Sequence, residues 1–154
     1  MVSKGATTIW ELWNGNTADP AMNSGNHLML IGDLDIWMNH YLAGIRPDPE
    51  RPGYKPTVIR PILLGDLKFV RAWRECPYGR IVSHWEREGD KLTMNIAIPT
   101  NTTATVYVPA QDASQVTEGG KPAGHAEGVK FLRVEGDAAV FEVGAGQYRF
   151  KSYK

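Results

Sequence analysis

The side chains suited to chemistry are few. His40, His84 and His125 are scattered without ligand spacing and share no cysteine or carboxylate cluster, so no metal site and no cofactor is expected. Cys76 precedes Pro77 with no base beside it in sequence, which suits a small buried apolar residue better than a nucleophile. Asn101-Thr102-Thr103 fits a glycosylation sequon and reads as a turn. What remains is Glu11, set between Trp10 and Trp13, with Asn23 and His27 downstream. By residue type alone Glu11 is a solvated carboxylate, and the two tryptophans anchor an N-terminal segment that would otherwise fray. His27 falls at the head of a helix, where capping or packing is the default.

Two regions of different periodicity must position these groups. From Ser24 to Ile45 the residues Leu28, Ile31, Leu34, Met38, Tyr41, Leu42 and Ile45 recur at intervals of three and four, the spacing of one helical face. Ser24 or Asn26 is expected to cap this helix, and Gly44 to end it in a left-handed turn before Pro47. A second apolar row of Leu30, Trp37 and Tyr41 widens the stripe, so the helix should lie on a sheet, meet another copy or stay partly exposed. Pro47, Pro49 and Pro52, with Gly53, then make a stiff linker.

Beyond the linker the period becomes two. Leu92, Met94, Ile96 and Ile98 alternate with polar or small residues, as do Ala104, Val106 and Val108. Further strands are predicted over 57–60, 67–75, 80–87, 129–135, 138–143 and 147–151, with turns at Gly89-Asp90, Gly119-Gly120 and Gly136-Asp137. About eight short strands predict a mainly β chain, an antiparallel β-sandwich preceded by one long α-helix. In Val129, Phe131, Leu132 and Val134 the alternation slips by one residue, the mark of a β-bulge. Trp73, Tyr78, Trp85, Phe131, Tyr148 and Phe150 are expected mostly in the core, since a carbohydrate-binding face would need several aligned outward on one sheet. The expected divisions are 1–46, the linker 47–54, and the sandwich 55–154.

Bulk properties narrow the partners. Lys and Arg total 17 against 17 Asp and Glu, so no excess charge draws the chain of 154 residues to nucleic acid or an anionic membrane. One cysteine permits no intrachain disulfide and leaves the compartment open. Leu28-Met29-Leu30-Ile31 is far short of a membrane span, and nothing at Met1 to Ala6 reads as an export signal, so a soluble chain is expected.

Several stretches together resemble the end of the α-L-rhamnosidases of glycoside hydrolase family seventy-eight. They are Gly5-Ala6-Thr7-Thr8-Ile9-Trp10-Glu11-Leu12-Trp13, Asn23-Ser24-Gly25-Asn26-His27, Tyr41 to Asp48, Pro52-Gly53-Tyr54-Lys55, Cys76-Pro77-Tyr78-Gly79-Arg80 and Pro99 to Pro109. The resemblance covers nearly the whole chain in matching order. It implies that 1–46 is the end of an (α/α)₆ catalytic barrel and that the sandwich is the domain that follows. Inverting glycosidases need an acid to protonate the leaving oxygen and a carboxylate to activate water on the opposite face of the sugar. The resemblance makes Glu11 that base and His27 a rhamnose contact supported by Asn23. It also makes Trp10 and Trp13 a flat surface for the sugar ring, beside the anchoring role that residue type gives them.

The family's general acid belongs to a carboxylate-rich segment for which this chain has no counterpart. The expected function is therefore that of a C-terminal portion of an enzyme removing terminal α-L-rhamnose, inactive by itself. Two other roles remain open: a stand-alone carbohydrate-binding module, and a structural domain that forms a homodimer through its helix.

Overall fold

The structure, a computed structural model, describes residues 1–21 and 23–153 and divides into two units, 1–38 and 39–154. In the first, loops and tight turns lead to helix α1 (Met29–Trp37), which continues as a π-helical turn over Met38–Leu42. The helix starts later than its periodicity predicts, because Ser24 to His27 are engaged with the chain before them. Leu28 takes the N-cap position without a side-chain bond, so neither Ser24 nor Asn26 caps it. Its apolar residues Leu30, Ile31, Leu34 and Trp37 stay exposed. Partial exposure, one of the outcomes expected for so apolar a helix, is what the single chain shows. The helix is shorter than 18 residues, and none among the described residues is long and apolar enough to cross a membrane.

The described residues of the second unit form eleven strands: β1 (Ile45–Pro47), β2 (Pro56–Ile59), β3 (Phe69–Cys76), β4 (Gly79–Glu88), β5 (Lys91–Ile98), β6 (Thr103–Pro109), β7 (Thr117–Glu118), β8 (Lys121–Pro122), β9 (Val129–Glu135), β10 (Ala138–Val143) and β11 (Gly146–Tyr153). One sheet has the order β1-β2-β6-β10-β9 and the other β3-β4-β5-β11-β7-β8. Neighbours are antiparallel except β2 and β6, which run parallel. The predicted slip in β9 is a bulge: Val140 pairs with Arg133 and Phe141 with Phe131, leaving Leu132 unmatched.

Alternation delivers the core. Leu92, Met94, Ile96 and Ile98 of β5 and Ala104, Val106 and Val108 of β6 are buried, each large side chain contributing roughly 1.5–3 kcal/mol on leaving water. Phe141 from one sheet stacks on Phe150 from the other at 5.6 Å between centroids. Trp85, Tyr148 and Phe150 take the expected core positions, whereas Trp73, Tyr78 and Phe131 are exposed, a correction to the sequence expectation. The reason for Trp73 is register: on β3 it shares a face with Phe69 and Arg71, and that face points away from the core.

The chain enters the sandwich by a tight passage. Gly44 has φ +76 and lies so close to Arg60 and Pro61 that an added Cβ would meet the Arg60 carbonyl carbon at 2.3 Å, so the left-handed turn expected there is required twice over. Just before it, β4 holds two carbonyls: Trp85 Nε1 donates to Leu42 O and Ser83 Oγ to Ala43 O, both at 2.7 Å.

Candidate functional site

Glu11 sits where two short segments of the first unit run side by side. Its N–H donates to the Ser24 carbonyl at 3.0 Å, and the Ser24 N–H donates back to Glu11 Oε2 at 2.9 Å. Three residues beyond Ser24, the His27 N–H donates to the carbonyl of Ile9, two residues before Glu11, at 2.7 Å. The carboxylate thus stands in for a backbone acceptor in a miniature ladder, and its direction is set by main-chain atoms. Polar side chains close the turn between them: Thr8 Oγ1 donates to Asn26 Oδ1 at 2.8 Å and the Asn26 N–H to Ser24 Oγ at 3.2 Å.

The same pairing carries His27 to Glu11. Its Nδ1 lies 3.6 Å from Glu11 Oε2, with the side chains 21% and 40% exposed. That separation is long for a hydrogen bond. The pair is an ionic contact when the imidazole is protonated, and both groups keep a face open.

The other candidates are placed less uniformly. Asn23 donates from Nδ2 to the Asp19 carbonyl at 2.7 Å, while Asp19 Oδ1 accepts from the Ala21 N–H at 2.8 Å. Asn23 is therefore committed to its own loop, beside a depression of about 400 Å³ lined by Gly15, Asn16, Pro20 and Ser24 but not by Glu11 or His27. Trp10 is half-buried with its ring against Gly15, where a Cβ would come within 2.7 Å of ring atoms. Trp13 is 80% exposed. One tryptophan pins the segment and the other offers a bare aromatic face.

Ser24 is the residue that sequence reasoning misplaced: expected as a helix cap, it fixes the Glu11 carboxylate instead. Thr8 and Asn26 were not singled out as site residues. Contacts between segments 13 residues apart leave no periodic trace in a sequence. Among the described residues, no group of three or more His, Cys, Asp and Glu side chains could hold a metal ion.

Comparison with known proteins shows the family. Residues 1–42 match the family model described as the bacterial alpha-L-rhamnosidase six-hairpin glycosidase domain, and residues 44–123 the bacterial alpha-L-rhamnosidase C-terminal domain. An alpha-L-rhamnosidase of Streptomyces avermitilis is 36% identical over 97% of this chain, which spans 14% of that protein, and one of Formosa agariphila is 30% identical over 98%, spanning 16%. Among solved structures, the Streptomyces avermitilis enzyme complexed with L-rhamnose superposes with a TM-score of 0.82 at 35% identity, covering 97% of this chain and 14% of that one. The enzyme named for Dictyoglumus thermophilum gives 0.83 at 32%, covering 100% and 17%. The chain belongs to the bacterial α-L-rhamnosidase family, and corresponds to the C-terminal portion of its members.

Proposed function

We propose that this chain supplies the water-activating side of an inverting α-L-rhamnosidase site. Glu11 is the general base. Its recorded contacts fall on Oε2, from Ser24 N–H and His27, so Oε1 is the oxygen available to take a proton from water. His27 meets a sugar hydroxyl, Asn23, whose Nδ2 is held by the Asp19 carbonyl, can accept one through its Oδ1, and Trp13 with Trp10 offers the ring its apolar surface. The acid that protonates the leaving oxygen comes from a carboxylate outside this chain.

The observation that carries this reading is the backbone-anchored Glu11 carboxylate with His27 beside it, on residues similar to a protein described in complex with L-rhamnose. In this reading residues 1–46 close the catalytic barrel, 47–54 connect and 55–154 form the domain that follows, although Ile45–Pro47 already pair as β1 with β2 of that domain. A homodimer through the helix has no support among these observations.

The test has two arms. The purified chain is expected to release no nitrophenol from 4-nitrophenyl α-L-rhamnoside, since it lacks the acid. In an enzyme containing the whole barrel, Glu11→Gln should lower kcat by roughly two to four powers of ten. Hydrolysis by the chain alone that Glu11→Gln abolishes would overturn the first arm, and an unchanged kcat in the longer enzyme would overturn the role of Glu11.

A further inference from the structure

We infer that the outer face of the second sheet is a binding surface for an acidic, uronate-bearing oligosaccharide. The surface lies wholly within residues 39–154, so it stands or falls independently of Glu11.

Register lays out its rows. Trp73 on β3 pairs with Val82 on β4, Val82 with Ala97 on β5, and Ala97 with Gln147 on β11. The adjacent outward row is Arg71, His84, Asn95 and Arg149. Small apolar residues, Val82 and Ala97, make the floor between a tryptophan at one end and polar side chains at the other. Over them lies a depression of about 500 Å³ whose lining includes Asn95, Gln147 and Arg149. Four strands spaced by ~4.8 Å give the row a length of about 14 Å, enough for a short run of pyranose rings.

Each component suits a glycan. Although the Arg80 guanidinium lies over its ring 5.7 Å from the centroid, Trp73 is 55% exposed, so flat apolar surface remains for the C–H face of a sugar. The amides of Asn95 and Gln147 each offer a donor and an acceptor, the pairing that hydroxyls need. Phe69 and Tyr153 are exposed as well, but Arg71 lies over the Phe69 ring, so charged and polar groups break up the apolar surface, where a protein partner would favour a continuous apolar patch.

Charge selects the class. Neither Arg71 nor Arg149 has a carboxylate in salt-bridge range among the described residues, although the two stand at opposite ends of one row. Two of the acids nearby are engaged elsewhere and a third stands one row away. Glu75 pairs with Arg80 at 2.6 Å, Glu118 accepts from the backbone N–H of Arg149 at 3.1 Å, and Glu86 stands in the next row opposite Phe69. Arg71 rests over the Phe69 ring at 5.4 Å. Two guanidiniums flanking a sugar-sized trough match carboxylates carried on the sugars themselves, which they can bind in bidentate fashion.

The test is titration of the chain with pentameric oligogalacturonate and oligomannuronate, followed by calorimetry and by tryptophan fluorescence, with cellopentaose and polyglutamate as controls. Binding of at least one oligouronate is expected. Trp73→Ala and Arg149→Gln, both at exposed positions, should each weaken it by about tenfold, and circular dichroism should show both variants folded. Absence of binding to both oligouronates would overturn the proposal. So would equal affinity for cellopentaose, equal affinity for polyglutamate, or binding that Trp73→Ala leaves unchanged.

Discussion

The two units hold themselves together by different means. Among the described residues of 1–38 none is buried, and the segment that carries Glu11 keeps its form through a handful of hydrogen bonds between short stretches of chain. Residues 39–154 enclose a continuous core from both sheets. The piece that carries the candidate chemistry contributes almost nothing to its own cohesion, and the cohesive piece carries none of that chemistry. A carboxylate aimed by backbone atoms needs only those atoms in place, whereas a sandwich needs its interior filled.

Substitutions in each unit can break that contrast. The largest effect is expected from Phe141→Ala, which removes a fully buried ring bridging the sheets and should cost about 3–5 kcal/mol in urea unfolding of the chain. A loss under 1 kcal/mol would mean that the sheets do not depend on this contact. Next comes Ser83→Ala, which leaves the Ala43 carbonyl without its bond and should cost about 1–3 kcal/mol. Leu34→Ser, on the exposed face of α1, should lie within about 0.5 kcal/mol in this chain. In an enzyme containing the whole barrel the same change should cost several times more if other elements cover that face, so equal costs in both settings would remove the contrast.

The smallest effect concerns pH. The side-chain bonds from Arg133, and then the nearby Arg60, hold the Glu135 carboxyl below its ordinary range. A depressed folded value means that the stabilisation is present above the unfolded value and is lost as pH falls towards and through the folded one. The Glu135 side chain is partly exposed, so solvent screens the interaction and the change in melting temperature should be slight. Glu135→Gln should flatten the acid limb of a melting-temperature profile, and a parallel limb in the variant would show that the cluster contributes nothing there.

Much of the sandwich was legible because its side chains obey a local rule. Leu92 to Ile98 alternate and are buried in alternation, and the slipped pattern at Phe131 and Leu132 is the observed bulge. What escaped was set by distant partners. Ile45, Arg46 and Pro47 read as a helix end and a linker, yet they form β1 because Thr57 to Ile59 lie opposite. β7 and β8, of two residues each, are too short to show a period. The parallel pairing of β2 with β6 follows from the route of the chain and not from its pattern. Trp73 was assigned to the core on residue type, whereas the register of β3 decides its side. For the site, Glu11 and His27 were found through resemblance, while the bond from Ser24 that directs the carboxylate was hidden by sequence distance.

The two carbonyls grasped by β4 bear on where this domain can be cut. The proline-rich stretch after Pro47 invites a severing point, but a recombinant sandwich starting there would discard the acceptors of Trp85 Nε1 and Ser83 Oγ. It would leave an indole N–H and a hydroxyl without their partners and uncover the buried Trp85 ring, a loss that no solubility tag repairs. The working boundary is Tyr41, whose carbonyl accepts from the Ile62 N–H at 2.8 Å, so the last turn of the helix is best inherited with the sheets.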